Sequence, residues 1–361
     1  MGKTINIAAI GLGEVAHAHL QAQGKLEGAT ISTLVEPVEA RRVQISEKLN
    51  IPAFQSIKEM LDHHRPDAAC ILTPASTHKD IALELMDEGI HVMCEKPLAI
   101  SLEDGLAIQK ACATSDTVFQ YASSYRFLPA VQKAREIVQS GQLGDIRLIT
   151  EQLVTGAGLE GFRAAGFVHY PKGGPGGGMM GLCDHGVHFL DIIPWIVGSP
   201  IAKVSGLGNI SGEAPTPETA MLRLKNGALG ILTYDEATYS SDLPYEGIFS
   251  GGQDWITGEG FGGHIGEWAA GAPSFRIHGS KGALRVFHYG YKLFIHDQDG
   301  LREIALPTAA EANHFFYQMQ AFVDTIQGKR EVPAGIDEGL AGVRALLALY
   351  ESQSKEAWIS L

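Results

Sequence analysis

Lys96 stands in the tripeptide Glu95-Lys96-Pro97, directly after an apolar stretch that is typical of a parallel β-strand. A lysine at the carboxyl end of such a strand points into the crevice where doubly wound sheets bind cofactor and substrate. Its ammonium group can stabilise the negative charge that develops on a reacting oxygen. Pro97 stops the strand and fixes the turn. Taken alone, the tripeptide is also typical of an exposed turn, but together with the motifs that follow it makes Lys96 a candidate for catalysis, substrate binding and approach to the cofactor.

Asp184 and His188 form a second pair with suitable chemistry, in a segment with helical periodicity. Residues four apart share one face of a helix. An imidazole with an ordinary pKa of about 6.5 can accept a hydroxyl proton at neutral pH. Asp184 can orient that imidazole or bind a substrate hydroxyl itself. Both residues are candidates for catalysis and for substrate binding, and the alternative is that the histidine is a core residue on the apolar face of this helix. We favour His188 over Lys96 as the proton acceptor, a choice that spacing alone leaves open.

A glycine-rich turn provides the cofactor prediction. The apolar run Ile5–Ile10 leads directly into Gly11-Leu12-Gly13-Glu14-Val15-Ala16, and a helical pattern follows. This arrangement is the dinucleotide fingerprint, in which the first glycine makes the tight turn and the second lets backbone approach a pyrophosphate. The helix N-terminus presents unpaired N–H groups to the anion. The residues of the turn that we predict to bind cofactor are Gly11, Leu12, Gly13, Glu14 and Val15.

Glu36 ends the second predicted strand, about 20 residues after the fingerprint, where an acid can accept hydrogen bonds from an adenosine ribose. A carboxylate at this place repels a 2′-phosphate and therefore favours NAD over NADP. Arg41 and Arg42 follow within a turn or so and keep NADP as an alternative. We predict NAD as the cofactor, with NADP possible and Glu36 among the binding residues.

Composition narrows the class of protein. The chain has 361 residues and a formal net charge of −13, which excludes nucleic acid and anionic membrane as expected partners. Its length predicts two domains, each able to bury a core. Four cysteines lack any CxxC pairing and are expected to be reduced thiols. The first residues show a glycine fingerprint and not a signal-peptide pattern, and the later apolar runs are too short to span a bilayer. We expect a cytoplasmic protein.

The order of elements predicts the fold class, α/β. Strands and helices alternate to about residue 123, which indicates a parallel sheet with right-handed crossovers, a Rossmann domain over residues 1–124. From residue 125 to 361 the pattern predicts an α+β domain with a large open mixed or antiparallel sheet. Lys225-Asn226-Gly227 and Asp297-Gln298-Asp299-Gly300 are hairpin signals within it. Helices near 313–328 and 337–354 either close this domain or pack back on the first.

These motifs, taken together and in order, resemble the Gfo/Idh/MocA oxidoreductases, named for glucose-fructose oxidoreductase and inositol dehydrogenase. The motifs are Gly11-Leu12-Gly13 with His19, Thr73-Pro74 with His78, Gly89-Ile90-His91-Val92, Glu95-Lys96-Pro97, Tyr125-Arg126-Phe127 with Pro129, Gly141 with Gly144, Asp184-x-x-x-His188 and Gly279-Ser280-Lys281-Gly282. The resemblance implies a nicotinamide cofactor and a sugar-like or cyclitol substrate. It places Lys96, Asp184 and His188 at catalytic positions. It also places Thr73, Pro74, His78 and Glu95 near the cofactor.

Three further residues are predicted to bind substrate: Tyr125, Arg126 and His169. Tyr125 and Arg126 begin the second domain; Arg126 binds substrate or cofactor, or pairs with an acid between the domains. His169 lies in one of two glycine-rich stretches, 156–178 and 247–271, whose length is typical of active-site lids.

The predicted function is an NAD(P)-dependent dehydrogenase that acts on a secondary hydroxyl of a sugar, glycoside or cyclitol. One alternative is a redox-neutral glycosidase, in which tightly held NAD oxidises and re-reduces the sugar within one cycle. The other is a non-catalytic sensor, which the presence of Lys96 and His188 disfavours. No metal is predicted, because Asp184, His185, His188 and His264 lack a fixed third ligand. The expected partners are a small-molecule substrate and further copies of the chain, as a homodimer or homotetramer.

Overall fold

A computed structural model of the chain describes residues 4–156, 181–208, 217–239, 274–287, 292–306 and 314–361. These residues form two compact units. The first unit contains the described residues up to Ser124 together with His314–Leu340. The second contains the described residues from Tyr125 to 306 together with Ala341–Leu361.

The first unit is built on six short strands, most of them rich in apolar residues. They are β1 (Ile5–Ile10), β2 (Ala29–Val35), β3 (Ala53–Phe54), β4 (Ala68–Ile71), β5 (His91–Cys94) and β6 (Phe119–Tyr121). Every pairing is parallel, and the order across the sheet is β3-β2-β1-β4-β5-β6. Parallel strands are covered on both faces, so nearly continuous apolar runs such as β1 and β4 suit this sheet.

Five helices connect these strands: α1 (Glu14–Leu20), α2 (Glu39–Leu49), α3 (Ile57–His63), α4 (His78–Asp87) and α5 (Leu102–Thr114). Two of them begin with a serine that accepts a hydrogen bond from a backbone N–H of the first turn. Ser56 accepts from Glu59 and Ser101 accepts from Asp104. Such caps satisfy N–H groups that have no partner within the helix, and they fix where the helix starts.

The strand order reverses at β1, which lies between β2 and β4. In open α/β sheets the crevice at this reversal, outside the carboxyl ends of the strands, is the ligand-binding place. Gly11 follows β1 directly, Thr73 follows β4 after one residue, and Glu95 follows β5. The predicted Rossmann architecture is thus confirmed, and its sheet gathers three of the predicted motifs at one edge.

The second unit begins with α6 (Pro129–Gln139) and contains α7 (Val187–Val197) and a mixed sheet of nine strands. The strands are β7 (Ile146–Gly156), β8 (Ile201–Leu207), β9 (Glu218–Leu224), β10 (Leu229–Tyr239), β11 (Phe275–Gly279), β12 (Gly282–Phe287), β13 (Lys292–Asp297), β14 (Gly300–Ile304) and β15 (Ile359–Ser360). Their order is β14-β13-β12-β11-β7-β10-β9-β8-β15.

Only the central pair, β7 and β10, is parallel, and the other pairings among the described strands are antiparallel. Both predicted hairpins are present, since β9 pairs with β10 and β13 pairs with β14. Gly227 and Gly300 take positive φ values of 92° in these turns, which glycine adopts without a steric penalty. The prediction of a mixed sheet in the second domain is therefore confirmed.

A π-turn over Leu182–Gly186 precedes α7, where the sequence predicts ordinary helical spacing. Gly181 lies against the sheet at the start of this turn, and a Cβ at that position would collide with the ring of Tyr234 in β10. Glu218 of β9 accepts a hydrogen bond from the Leu182 backbone N–H at 2.9 Å. A π-turn alters the helical register, and such turns occur frequently at functional sites.

The chain ends with α8 (His314–Ile326) and α9 (Ile336–Lys355). Met319, Phe322 and Val323 of α8 belong to the hydrophobic core of the first unit. The first residues of α9, up to Leu340, group with the first unit and the rest with the second. The sequence pattern predicted a domain boundary at residue 124, and it left open whether the last helices pack on the first domain. Phe322 is fully buried because α8 lies in that core.

Within the described residues, no helix is long and apolar enough to cross a membrane.

Cysteine reactivity offers a test of this packing. None of the four cysteines forms a disulfide, and burial raises the pKa of the Cys70 and Cys94 thiols and raises that of Cys112 to about 12. Because the thiolate is the reactive form, iodoacetamide at mildly alkaline pH should alkylate these three cysteines on the order of 100-fold more slowly in the folded than in the urea-unfolded protein. Peptide mass spectrometry measures this ratio. Rapid labelling of Cys70 or Cys94 in the folded protein would contradict the packing.

Candidate active site

The glycine-rich turn between β1 and α1 has one tightly packed and one open glycine. Gly11 has φ of +87°, and a Cβ there would lie 2.7 Å from Thr73 Cγ2. A Cβ added at Gly13 would meet nothing within 4 Å. The turn therefore packs against the loop after β4 through Gly11 and leaves space in front of Gly13. This is the cradle that a pyrophosphate requires, so the residues of the turn fit a bound dinucleotide.

Glu36, at the end of β2, holds this turn. Its buried carboxylate accepts hydrogen bonds from the backbone N–H of Leu12 and from that of Val38, each at 2.9 Å. Arg41 Nη1 lies 3.3 Å from a carboxylate oxygen, and Arg42 donates to the Glu36 carbonyl at 2.8 Å. Both arginines are thus directed toward Glu36, which fixes the shape of the turn as well as providing a carboxylate at the predicted ribose position.

Glu95 connects the lysine tripeptide to α1. Its Oε1 lies 2.7 Å from Nε2 of His19, and its Oε2 accepts the Lys96 backbone N–H at 2.9 Å. His19 and Glu95 are both buried, and the next peptide bond, Lys96–Pro97, is cis. The carboxylate can only accept, so His19 Nε2 carries the proton. Lys96 itself is half-buried.

His78, at the start of α4, contacts two strand-end loops. Its Nε2 lies 2.9 Å from the Thr73 carbonyl oxygen, and its Nδ1 lies 3.1 Å from the Pro97 carbonyl oxygen. Burial lowers the pKa of His78, an effect that the neighbouring carbonyl oxygens oppose without overcoming. The fully buried ring thus lies between the carbonyl groups of Thr73 and Pro97 and contacts both. The adjacent Thr73 Oγ1 accepts a hydrogen bond from the Thr77 hydroxyl at 2.7 Å.

In the second unit, His188 lies in the first turn of α7 and Asp184 within the preceding π-turn. The ring of His188 is stacked on that of Tyr125, with centroids 3.8 Å apart and planes 5° apart. His188 is buried, whereas Asp184 is half-buried. The imidazole is therefore held in one orientation by an aromatic neighbour, which suits a group that must accept a proton from a fixed direction.

Arg126 forms a buried ion pair in the same unit. Its Nε and Nη2 lie 2.9 and 2.6 Å from the two carboxylate oxygens of Asp191. The guanidinium also lies 5.2 Å from the ring centroid of Trp195. The sequence left open whether Arg126 binds substrate, binds cofactor or pairs with an acid. In the structure Arg126 pairs with an acid, and this acid lies in α7 of the same unit.

Several buried polar residues have partners that the sequence pattern did not indicate. His19 and Glu95 lie 76 residues apart in the chain, and His185 Nε2 lies 3.2 Å from Glu151 Oε2 across the second unit. The available signal was a histidine or an acid at a position where the pattern is otherwise apolar. His169, His264 and the two predicted lids lie outside the described residues, apart from Gly156 at the end of β7. No group of three metal-ligating side chains occurs in the part of the chain that is described.

Comparison with known proteins follows the same division of the chain. Residues 5–123 match the model of an oxidoreductase family with an NAD-binding Rossmann fold, and residues 131–285 match the model of the GFO/IDH/MocA C-terminal domain. The chain belongs to the Gfo/Idh/MocA oxidoreductase family. Membership makes it an NAD-binding oxidoreductase, as the glycine turn and the lysine tripeptide predicted.

Among curated relatives, the chain is 27% identical to an inositol 2-dehydrogenase of Corynebacterium glutamicum (strain R) over 72% of this chain and 78% of the relative. It is also 27% identical to the D-glucoside 3-dehydrogenase of Escherichia coli (strain K12), over 96% and 95%. A crystal structure of scyllo-inositol dehydrogenase from Lactobacillus casei, with bound NAD(H) and scyllo-inositol, superimposes with a TM-score of 0.75. The identity there is 22%, with 99% of each chain covered.

The two fingerprint glycines should respond differently to alanine. Gly13 has φ −71° and open space around it, so Gly13→Ala should leave the free energy of unfolding within about 0.5 kcal/mol of wild type. The new methyl group should weaken NAD binding by about tenfold or more, because it fills the cradle. Gly11→Ala should instead destabilise the fold by about 1–3 kcal/mol. Calorimetry with NAD and urea unfolding measure both quantities. Full NAD affinity in Gly13→Ala would contradict the assignment.

His78 should make stability depend on pH. Its folded pKa lies below the unfolded value of about 6.5, so the unfolded chain binds a proton that the folded chain does not. Stability therefore falls as pH decreases through that value. His78→Gln should reduce this dependence, measured by urea unfolding, by up to about 1.4 kcal/mol per pH unit. The matched control is His64→Gln on an exposed histidine, and equal slopes in both variants would contradict the prediction.

Proposed function

We propose that this oxidoreductase is an NAD-dependent dehydrogenase that oxidises a secondary hydroxyl of a sugar, glycoside or cyclitol, or reduces the corresponding ketone. The observation that carries the proposal is the buried imidazole of His188, held flat against Tyr125 in a family of oxidoreductases. The names of the inositol and glucoside dehydrogenases support the substrate class. The glucoside dehydrogenase matches over almost the whole of both chains, so glucosides deserve equal weight with inositols.

The proposed roles follow from the chemistry of each side chain. His188 accepts the proton of the substrate hydroxyl as general base. Asp184, in the adjoining π-turn, binds a substrate hydroxyl or orients that imidazole. Lys96 donates a hydrogen bond to the substrate oxygen and stabilises its developing negative charge. NAD, when bound, supplies the hydride acceptor that alcohol oxidation requires.

Cofactor contacts are proposed for the glycine turn, Glu36, Thr73, Pro74 and Lys96. NAD is preferred to NADP in this proposal, because the Glu36 carboxylate occupies the predicted ribose position and Arg41 is paired with it. His78 and Glu95 are proposed to position this set through backbone groups, since both are buried against Thr73, Pro97 and Lys96.

Tyr125 and Arg126 were predicted to bind substrate, and their described contacts are with His188 and Asp191. We propose that they support the site from behind and that His169 remains a candidate for substrate contact. We also propose that the protein forms a homodimer or homotetramer and that it acts on a small-molecule substrate in the cytoplasm.

The direct experiment follows absorbance of the NADH band while purified protein and NAD, then NADP, meet a panel of inositols, sugars and glucosides. A substrate-dependent rise is the expected result, with NAD giving the faster rate. Release of aglycone from a glycoside without any rise would indicate the redox-neutral glycosidase instead. Nucleotide binding with neither reaction across the panel would contradict the dehydrogenase and favour a sensor.

Two variants test the assigned roles. His188→Ala and Lys96→Met should each lower kcat by roughly 10² to 10⁴-fold, the usual contribution of a proton-transfer or charge-stabilising group. Binding of NAD to His188→Ala should persist, because that residue has no proposed cofactor contact. The matched controls are His64→Ala and Lys58→Met, both on exposed side chains of the first unit. Full turnover in either site variant would overturn its role.

A further inference from the structure

A series of buried side chains in contact with one another leads to His188 in the second unit. His185 Nδ1 lies 3.4 Å from the hydroxyl oxygen of Tyr125, whose ring stacks on His188. His185 Nε2 lies 3.2 Å from Glu151 Oε2, and its ring stacks on Tyr234 with centroids 5.2 Å apart. All five residues are buried. Neither Glu151 nor His185 has a role in the function proposed above.

The position of each proton in this series follows from which of its atoms can donate a hydrogen bond and which can accept one. The Glu151 carboxylate, 3.2 Å from His185 Nε2, favours the tautomer that carries the proton on this nitrogen, although the two atoms do not form a hydrogen bond. With that proton on Nε2, the neutral ring has an acceptor at Nδ1, and Tyr125 donates its hydroxyl hydrogen to it. The series of contacts therefore runs from a carboxylate, through an imidazole, to the hydroxyl of the ring that holds His188.

The stack itself favours one protonation state of His188. Two neutral rings prefer offset or edge-on arrangements to a parallel stack. A cation above the face of tyrosine, in contrast, is attracted by the ring quadrupole. His188 lies parallel to Tyr125 at 3.8 Å, so the contact gains strength when the imidazole becomes imidazolium. That is the state of the base after it has accepted the substrate proton, so the contact is stronger after proton transfer than before.

Two central strands of the sheet carry part of this series of side chains. Glu151 lies in β7 and Tyr234 in β10, the parallel pair at the middle of the sheet, with Tyr234 opposite Leu153. His185, within the π-turn, stacks on Tyr234, and Gly181 at the start of that turn has no side chain to collide with the same ring. Two further buried carboxyl groups lie nearby in the sheet: Asp235 of β10, and Glu218 of β9, which accepts the Leu182 N–H. The elements that carry Tyr125 and His188 add the Arg126–Asp191 ion pair and the half-buried Asp184.

We propose that Glu151, His185 and Tyr125 are positioning residues that fix the ring of His188 and stabilise its imidazolium form. The inference rests on the proposed function, in which His188 is the general base. It adds to that function a buried anion and an aromatic face that act on the base without touching substrate. Tyr125 thus supports the base from behind rather than lining the substrate site.

The test compares pH profiles of kcat/KM, whose acid limb reports the pKa of the base. Tyr125→Leu removes the stack, so the acid limb should move to lower pH by about half a unit or more and kcat should fall about tenfold. Glu151→Gln removes the anion and should move the limb in the same direction. Tyr125→Phe keeps the ring, so its limb should move less than in Tyr125→Leu. The matched control is Tyr350→Phe, which removes the hydroxyl that contacts Cys183 in the same unit and should leave the profile unchanged.

A direct titration separates this inference from the proposed function. NMR of the ring nitrogens of His188 gives its pKa in wild type, Tyr125→Leu and Glu151→Gln without any substrate. A lower His188 pKa in both variants supports the inference even when His188→Ala shows that the base lies elsewhere. An unchanged pKa and an unmoved acid limb, with only KM or the melting temperature altered, would overturn it. Where Tyr125→Leu does not fold, Glu151→Gln decides the outcome.

Discussion

The buried contact between His19 and Glu95 is the constraint on which the first unit's site depends. One carboxylate binds an imidazole of α1 through one oxygen and the backbone of Lys96 through the other. A buried carboxylate without partners is costly, and removing one partner of a buried pair destabilises a protein far more than the pair itself contributes. The helix after the glycine turn and the loop that carries Lys96 are therefore fixed relative to each other, and with them the glycine turn and the lysine tripeptide.

Other buried carboxylates also fix neighbouring segments in place, in both units. Glu36 holds the backbone of Leu12, Glu218 holds the start of the π-turn, Asp191 holds Arg126, and Glu151 lies against His185. Each contacts a residue that has a proposed role or belongs to a turn that carries one. Groups fixed in this way need not reorganise when charge develops, which is the property that electrostatic catalysis requires. The acidic composition of the chain thus includes a small set of acids that organise its interior.

The family relationship and the geometry support each other at different levels. The two family models cover most of the chain and establish an NAD-binding oxidoreductase, while the named relatives act on inositols or a glucoside. The geometry adds what a family name does not contain: an imidazole stacked on tyrosine, a lysine fixed through its neighbour's carboxylate, and a glycine turn with space in front of Gly13. The chemistry of alcohol oxidation is therefore constrained more firmly than the identity of the alcohol.

The sequence by itself determined the features that depend on neighbouring residues. The apolar strand Ile5–Ile10, the glycine turn, the hairpin at Lys225-Asn226-Gly227 and the break at Pro97 all follow from local conformational preferences, and the alternation of strands and helices then predicted the parallel sheet. Only the tertiary structure decided which buried polar groups meet, as with His19 and Glu95, His185 and Glu151, or Arg126 and Asp191. It also decided that α8 packs in the first core and that a π-turn precedes α7. These features join residues far apart in the chain, and their energy depends on burial and on the position of a partner, neither of which a local pattern specifies.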